Sequence, residues 1–232
     1  MNLGPVHQFL GIKIHRDDTW VILGQKAYIT TILALFGMEH THTVSTPMDP
    51  NLQLDLAEDW REKELEHITN YEAVVGSLMY AAHATWPDIS YAVVALSRYN
   101  SRPFTSHMTA AKIVLQYLKS TANFRLHFNG NGISIGMSIG IGIDIDNSLV
   151  GYLNSDCAND IMDRKSQGGQ VFLPSNGPIS WQSRKQSLIA MSTLEAVFIA
   201  CLEASTEAEW LLQLQKDIHG KDFPPLQINC DN

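Results

Sequence analysis

The sequence predicts an α/β protein in two parts, and three patterns along the chain support this fold class. Apolar and polar residues alternate in Phe9–Leu23, which predicts a β-hairpin, and apolar residues at helical spacing dominate 25–120. Alternation returns in 123–182, where several short strands are predicted. One long helical segment, Ser192–Ile218, then leads to a last strand, Leu226–Cys230. A helical first part is therefore followed by a mixed sheet with one long packed helix.

The first part opens with the hairpin strands Phe9–His15 and Trp20–Leu23, which flank a polar turn at Arg16–Thr19. Two adjacent aspartates in this turn are expected to be solvated rather than to bind a metal. Gln25–Met38 has apolar residues at helical spacing, which predicts a helix that buries one face. Thr41–Glu66 contains prolines and many acidic residues, and this composition predicts a wholly solvated connector.

Three more helices are predicted in the first part, at Asn70–Ala84, Pro87–Tyr99 and Ser106–Ser120. A proline is well suited to the first turn of a helix, where its missing N–H has no helical partner, and this favours a helix start at Pro87. The third helix carries an apolar stripe formed by Ala110, Ile113, Val114, Tyr117 and Leu118.

The second part contains short alternating segments. Strands are predicted at Phe124–Phe128, Leu149–Leu153, Gly169–Leu173 and Pro178–Gln182. Gly132–Asp146 is a low-complexity stretch with isoleucine at most alternate positions. This stretch is interpreted either as one strand or as a flexible, aggregation-prone insertion, and its many glycines weaken it as a regular strand.

The long helix Ser192–Ile218 has recognisable end signals. Ser192 or Thr193 is suited to cap its N-terminus, with Glu195 near the first turn, and Gly220 is suited to end it. An apolar stripe is expected to pack on the sheet and includes Phe198, Cys201, Leu202, Trp210, Leu211 and Leu214.

The chain has 232 residues, of which 45% are hydrophobic and 17% are charged, and this composition is typical of a globular protein. This length is enough for one large domain or two small ones. The formal net charge of −8 argues against strong binding of a nucleic-acid duplex, because such affinity depends largely on neutralising phosphates. A local basic patch remains compatible with this charge.

The spacing of the cysteines and the hydropathy of the sequence indicate the cellular compartment. Cys157, Cys201 and Cys230 are widely separated and form no Cys-x-x-Cys pair, which argues against a disulfide framework or a structural zinc site. Met1–His7 lacks the features of a signal peptide, and no apolar run reaches the ~18–20 residues of a membrane span. We expect no membrane partner and an intracellular location, cytoplasmic or nuclear, in a reducing compartment.

The basic residues concentrate in two pairs. Arg164-Lys165 and Arg184-Lys185 flank the predicted hairpin, with Trp181 and Gln182 nearby. One interpretation is contact with the backbone of a nucleic-acid duplex. The other is two solvated turns, and the sequence leaves both open.

A series of short motifs in a fixed order resembles the C-terminal end of the Pol polyprotein of copia-type long-terminal-repeat retrotransposons. The resemblance covers nearly the whole chain and rests on Phe9-Leu-Gly-Ile12, Gln25-x-x-Tyr28, Tyr71-x-x-x-Val75-Gly-Ser, Pro87-Asp-Ile-x-Tyr91, Leu115-x-Tyr117-Leu-Lys, Gly151-Tyr152, Asp163-Arg-Lys-Ser166, Ile179–Gln186 and Ser192–Ala200. It implies a reverse transcriptase C-terminal region of thumb and connection type at 1–122. It also implies a ribonuclease H-like domain, truncated at its C-terminus, at 123–232.

The resemblance implies a site in which several carboxylates hold two Mg²⁺ ions that cleave the RNA strand of an RNA–DNA hybrid. The family's first-strand ligand falls on Asn154, and its helix ligand falls on Val197. Asp231 matches the third, metal-binding aspartate, and a fourth acid is expected beyond Asn232. We therefore expect that Mg²⁺ is not bound productively.

Two neighbouring acids are candidate substitutes for the missing ligands. Asp156 is two residues from Asn154 and faces the same side of a strand, at roughly 7 Å along an extended chain. Glu195 is two residues from Val197, roughly 200° round the helix, and is expected to point away from the site. The alternative interpretation of both is an ordinary surface acid.

Three functional hypotheses follow. The first is a catalytically inactive remnant of a reverse transcriptase and ribonuclease H polyprotein, since the Tyr-x-Asp-Asp motif of the polymerase site is also missing from this sequence. The second is an active hybrid nuclease that uses Asp156, Glu195 and Asp231. The third is a non-catalytic module that binds nucleic acid weakly or contacts the remainder of the Pol polyprotein.

Overall fold

The computed structural model describes residues 5–17, 20–49, 52, 54, 68–129, 149–158, 160, 163–174 and 177–230. These residues form a mixed α/β structure with five α-helices and two four-stranded sheets. The elements are, in chain order, β1 Gln8–Phe9, β2 Ile12–Arg16, β3 Trp20–Gly24, α1 Lys26–Leu35, α2 Ile68–Ala84, α3 Ser90–Ser97, α4 Thr105–Thr121, β4 Leu126–Asn129, β5 Leu149–Ser155, β6 Gln167–Pro174, β7 Ser180–Lys185, α5 Thr193–His219 and β8 Gln227–Cys230.

The described residues fall into two compact units. Unit 1 takes its residues from 1–14 and 23–125, and unit 2 takes its residues from 15–22 and 126–232. The first sheet has the strand order β1-β2-β3-β4, and the second has the order β7-β6-β5-β8.

The predicted hairpin and helices are confirmed. The turn between β2 and β3 is closed by Asp17, whose Oδ1 accepts a hydrogen bond from the Trp20 N–H at 2.7 Å. A short 3₁₀ turn at Pro87–Ile89 precedes α3, so the predicted helix Pro87–Tyr99 begins in a tighter form. The tighter form is common where a helix starts.

The core of unit 1 lies between α1, α2, α3 and α4. Tyr71 of α2 is fully buried there, and its hydroxyl donates a hydrogen bond to the Leu96 carbonyl oxygen at 2.8 Å. Burial raises the pKa of Tyr71 because the charged phenolate would lose its hydration. The bond satisfies the buried hydroxyl and ties α2 to α3.

His107 anchors the start of α4 inside the same core. Its ring is buried and stacks on Tyr99, with centroids 3.9 Å apart and planes inclined by 19°. Its Nδ1 accepts a hydrogen bond from the Phe104 N–H at 2.9 Å, which caps one of the free amides at the helix start. His107 is therefore a structural residue of unit 1.

The connector between α1 and α2 is not wholly solvated, as the sequence had suggested. Val44 and Met48 pack against the core of unit 1, and Leu54 is buried. The Ser120 hydroxyl also donates to the Val44 carbonyl oxygen at 2.9 Å. Apolar residues among the polar ones explain this difference, and the acidic stretch at 55–66 lies outside the described residues.

Four of the five strands predicted in the second part, now β5, β6, β7 and β8, form one sheet as expected. The fifth, predicted at Phe124–Phe128, corresponds to β4 and belongs to the first sheet. β5 pairs antiparallel with β6, β6 pairs antiparallel with β7, and β5 pairs parallel with β8. Helix α5 packs on this sheet around a core of Leu149, Leu153, Phe172 and helix residues. The low-complexity segment Gly132–Asp146 lies outside the described residues.

The ends of α5 follow the predicted signals. The Ser192 Oγ accepts a hydrogen bond from the Glu195 N–H at 3.2 Å, so Ser192 is the cap rather than Thr193. Gly220 adopts φ +67° at the C-terminus, a left-handed conformation that a residue without Cβ adopts readily.

The predicted buried stripe of α5 was wrong in most of its members. Phe198 and Leu202 are 72% and 65% exposed, and Trp210 and Leu214 also lie at the surface. Leu211 of the predicted stripe is buried and Cys201 half-buried; the other buried residues of α5 are small, namely Ala196, Val197, Ala200, Ala204 and Ala208. Close approach of the helix to the sheet selects small side chains, and hydrophobicity alone did not identify this face.

Gly151 of β5 lies directly beneath the core aromatic ring, and this contact yields a prediction. A Cβ at Gly151 would lie 2.7 Å from Phe172 Cε1, whereas a Cβ at Gly169 of β6 would meet nothing within 4 Å. We expect Gly151→Ala to lower the free energy of unfolding by about 1–3 kcal/mol through overpacking. Gly169→Ala is the matched control and should leave it unchanged or raise it by up to about 1 kcal/mol. Urea unfolding of both variants measures the difference, and equal effects would contradict the proposed contact.

Candidate metal and nucleic-acid site at the end of strand β5

Four polar residues are buried where β5 ends, β6 begins and β7 ends. They are Ser155, Asp160, Ser166 and Gln186. Buried polar groups are costly unless they are hydrogen-bonded, so their partners define the local structure. We call these four residues the polar end of unit 2. The candidate ligands Asn154 and Asp156 lie on either side of its member Ser155 in the sequence.

Gln186 is the central residue of the polar end. Its Nε2 donates to the Ser155 Oγ at 3.1 Å and to the Ala196 carbonyl oxygen at 2.7 Å. Its backbone N–H donates to the Ser166 carbonyl oxygen at 2.8 Å. A single side chain therefore joins β5 to the first turn of α5.

Asp156 has a structural partner within the same region. Its Oδ1 accepts a hydrogen bond from the Gln167 N–H at 2.6 Å, and its own N–H donates to the Gln167 carbonyl oxygen at 3.1 Å. These bonds continue the β5–β6 pairing beyond the last strand residue, Ser155. The carboxylate of this candidate substitute ligand thus holds the start of β6.

The two positions that match family ligands differ in their surroundings. Asn154 is exposed on β5, and it alternates with Leu153 and Ser155, which are both buried. Because neighbouring residues of a strand face opposite sides, Asn154 leaves the strand on the side away from α5. Val197 lies on α5 within the core that contains Leu153, and it is only 8% exposed. The structure does not bring these two side chains together.

Glu195 also forms hydrogen bonds with residues close to it in the sequence. Its Oε2 accepts a hydrogen bond from the Met191 N–H at 2.7 Å, and its N–H donates to Ser192. This reciprocal arrangement resembles a capping box and satisfies amides at the start of α5. Glu195 is exposed. The remaining candidate ligand, Asp231, lies outside the described residues.

The four basic candidates fall into two groups. The ammonium group of Lys185 forms ion pairs with Asp160 and with Asp163, the latter at 2.8 Å. Arg164 and Arg184 are exposed, while Lys165 is half-buried. Arg164 has φ +55°, an uncommon conformation for a residue with a side chain. Lys185 thus neutralises a buried carboxylate, and the two arginines are the most exposed of the four basic residues.

Sequence reasoning missed the structural residues of the polar end. Ser166 and Gln186 fall within motifs that carry the family resemblance, yet neither had a role there. Ser166 is fully buried, and its Oγ accepts a hydrogen bond from the Ala158 N–H at 3.0 Å. A glutamine or serine next to basic residues usually indicates a polar surface, so the pattern contained no signal for burial.

Within the described residues, no cluster of three or more histidine, cysteine, aspartate or glutamate side chains is arranged to hold a metal ion. No helix in the described part of the chain is both long and apolar enough to cross a membrane.

Comparison with known proteins identifies the family. The chain is 37% identical over its whole length to the retrovirus-related Pol polyprotein from transposon TNT 1-94 of Nicotiana tabacum, of which it covers 17%. It is 35% identical, over 98% of its length, to the corresponding polyprotein from transposon RE1 of Arabidopsis thaliana, of which it covers 14%. It is also 38% identical over 141 residues to secreted RxLR effector protein 161 of Plasmopara viticola, which is 61% of this chain and 90% of that protein.

The chain belongs to the family of retrovirus-related Pol polyproteins of copia-type transposons. It corresponds to a fragment, since it spans 14–17% of the length of the transposon polyproteins just named. No family model matches the chain. No solved structure matches it either.

The central position of Gln186 yields a prediction about stability. Gln186→Ala should lower the free energy of unfolding by about 2–4 kcal/mol, because it leaves a cavity and removes the buried partners of Ser155 and of the Ala196 carbonyl. Gln182→Ala, in the exposed part of the same strand, is the control and should change it by less than about 0.5 kcal/mol. Urea denaturation followed by tryptophan fluorescence measures both. A Gln186 variant as stable as the Gln182 variant would refute the assigned role.

Proposed function

We propose that the chain is the C-terminal end of a copia-type reverse transcriptase followed by a ribonuclease H-like domain that does not cleave RNA–DNA hybrids. The observation that carries the proposal is the burial of Val197 in the core of unit 2. Valine occupies the position of a family ligand there, and its side chain has no lone pair to offer a metal. The neighbouring position, Asn154, supplies at most a neutral carbonyl oxygen.

The order of elements supports the ribonuclease H-like part. Three antiparallel strands are followed by a long helix and then by β8, which returns parallel to β5. The resemblance puts its first-strand, helix and later-strand ligands on β5, on α5 and just after β8. The topology of unit 2 is thus compatible with the implied domain, and the loss concerns the ligands rather than the fold.

The described residues do not fit a pair of Mg²⁺ ions. Two dications need several converging carboxylates with free oxygens. The carboxylate of Asp156 accepts a bond from the Gln167 N–H, and that of Glu195 accepts a bond from the Met191 N–H. The candidate substitutes are therefore used by the fold, which favours an inactive remnant over an active nuclease that recruits them.

We expect the unmodified chain to show no hybrid cleavage with Mg²⁺ or Mn²⁺. The assay follows a labelled RNA–DNA hybrid over a wide range of enzyme concentration, with an authentic ribonuclease H as positive control. Asp231→Asn is the matched variant, because it removes the acid at the matching family position. Metal-dependent cleavage that disappears in Asp231→Asn would overturn the proposal.

Restoring the ligands tests the same idea from the other direction. The double change Asn154→Asp with Val197→Glu returns both acids, but a glutamate at 197 is buried and is expected to destabilise unit 2 by about 2 kcal/mol or more. Circular dichroism must therefore show folding before activity is assessed. Asn154→Asp alone is the stable control.

A second candidate function, weak nucleic-acid binding, is favoured by the exposure of Arg164 and Arg184. Both guanidinium groups are accessible on the unit that contains the polar end. Arginine recognises phosphate through paired N–H donors, and such contacts depend strongly on salt. The formal net charge of −8 opposes tight binding, so the expected affinity is low.

Binding is tested with Arg164→Ala and Arg184→Ala together. We expect the unmodified chain to bind a hybrid duplex weakly at low salt, and the double variant to lose at least roughly fivefold in affinity with a shallower dependence on salt. Lys185→Ala is the contrasting variant, because Lys185 is engaged with Asp160 and Asp163. Lys185→Ala should lower the free energy of unfolding, with little effect on how the binding affinity depends on salt concentration. Equal loss of binding in both variants would argue against a specific role for the arginines.

A further inference from the structure

Helix α5 carries a row of large apolar side chains on its solvent side. Leu194, Phe198, Leu202 and Trp210 are 80%, 72%, 65% and 57% exposed. With Thr206 between the last two, these residues follow one another at intervals of four, which makes them one ridge along the helix surface. We call these five residues the outer ridge of α5.

The outer ridge lies opposite the face of α5 that packs on the sheet. Each step of four residues turns by about 40° round the helix, so the stretch from Phe198 to Trp210 covers a sector of about 120°. The middle of this sector is roughly 160° from the middle of the buried pair Ala200 and Ala204. Packing on β5 and β6 therefore uses one side of the helix and leaves the outer ridge open.

The open apolar area of the outer ridge is as large as a dimer interface needs. Its four apolar side chains leave roughly 500–600 Å² open, when their exposed fractions are applied to ordinary side-chain areas of about 150–250 Å². The largest apolar patch on a typical monomer is about 300–600 Å². A standard interface buries about 800 Å² per partner, of which a little over half is apolar. The outer ridge alone supplies that apolar part.

The polar groups of this surface are already satisfied within the helix. The Thr206 hydroxyl donates a hydrogen bond to the Leu202 carbonyl oxygen at 3.1 Å, and the Ser205 hydroxyl donates to the Cys201 carbonyl oxygen at 2.7 Å. Covering these hydroxyls leaves neither donor without a partner. Cys201 and Ser205 also belong to the next ridge, and their short side chains leave a groove beside the outer ridge.

We propose that a second copy of this chain docks on the outer ridge, so that two α5 helices cross antiparallel about a two-fold axis at Leu202. Helices whose ridges of this spacing interdigitate cross at about −50°. A two-fold axis uses the same surface on both copies, so one ridge and its groove supply both sides of the contact. The antiparallel order puts the large Phe198 of one copy against the small Thr206 of the other and Leu194 beside Trp210.

Two exposed glutamates border this contact. Glu195 and Glu209 are each seven residues from Leu202, in opposite directions, so the antiparallel order brings Glu195 of one copy near Glu209 of the other. Like charges repel, and salt at about 0.15 M screens exposed charges beyond roughly 8 Å. We therefore expect the dimer to tighten as the salt concentration rises.

Sedimentation equilibrium of the full-length chain tests the proposal. We expect a reversible dimer with a dissociation constant of roughly 1–100 μM at physiological salt. Leu202→Glu puts two carboxylates at the axis and should weaken the dimer at least roughly tenfold. Leu35→Glu is the matched control, because Leu35 is a helical leucine that is 69% exposed in unit 1, and it should leave the constant unchanged.

Phe198→Ser is a second variant that adds no charge. It should weaken the dimer at least roughly fivefold, because a large aromatic side chain near the centre of an interface carries much of its affinity. Circular dichroism should show all three variants folded, since each changed side chain is exposed.

Four results would overturn the proposal. The first is a chain that stays monomeric up to about 500 μM, well above the expected dissociation constant. The second is association that Leu202→Glu and Phe198→Ser leave unchanged, which would place the contact on another surface. The third is equal weakening by Leu35→Glu, and the fourth is a dimer that dissociates as salt is added.

Discussion

The close contact between the small-residue face of α5 and the sheet is the interaction on which unit 2 depends. Ala200 and Ala204 are buried in this contact. A Cβ at Gly168 would lie 3.8 Å from the Ala200 Cβ, and Gly151 leaves room for the Phe172 ring. Small residues on both surfaces bring the helix near enough for Gln186 to reach the Ala196 carbonyl oxygen. Larger residues on either surface would separate the two layers and break this bond.

The same contact explains why the fold accommodates a valine at position 197, where the resemblance implies a helix ligand. A carboxylate at position 197 would border the apolar core, where its charge is costly unless a cation compensates it. Valine removes that cost and adds apolar burial next to Leu153. The polar end is held instead by neutral hydrogen bonds and by the ion pairs of Lys185.

Pattern reasoning predicted the elements better than it predicted the surfaces that they bury. Alternation located β5, β6 and β7 because each has one covered face, and the caps of α5 were visible as Ser192 and Gly220. The buried face of α5 was not predictable from hydrophobicity, since close packing favours alanine over Phe198 or Leu202. The burial of Gln186 and Ser166 depends on tertiary partners, which local patterns do not record. The candidate ligands came from family resemblance, while their local partners are visible only in three dimensions.

The parallel pairing of β8 with β5 has a consequence for the order in which the sheet assembles. The strands β5, β6 and β7 are joined by short connections and pair antiparallel, so their contacts are local in sequence. The bond from the Asn229 side chain to the Gly151 carbonyl oxygen instead links residues 78 positions apart. Contacts of such long separation form slowly because a large loop must close first. During synthesis the meander emerges complete while its β8 edge is still open, and only after all of α5 has left the ribosome can the last strand close that edge.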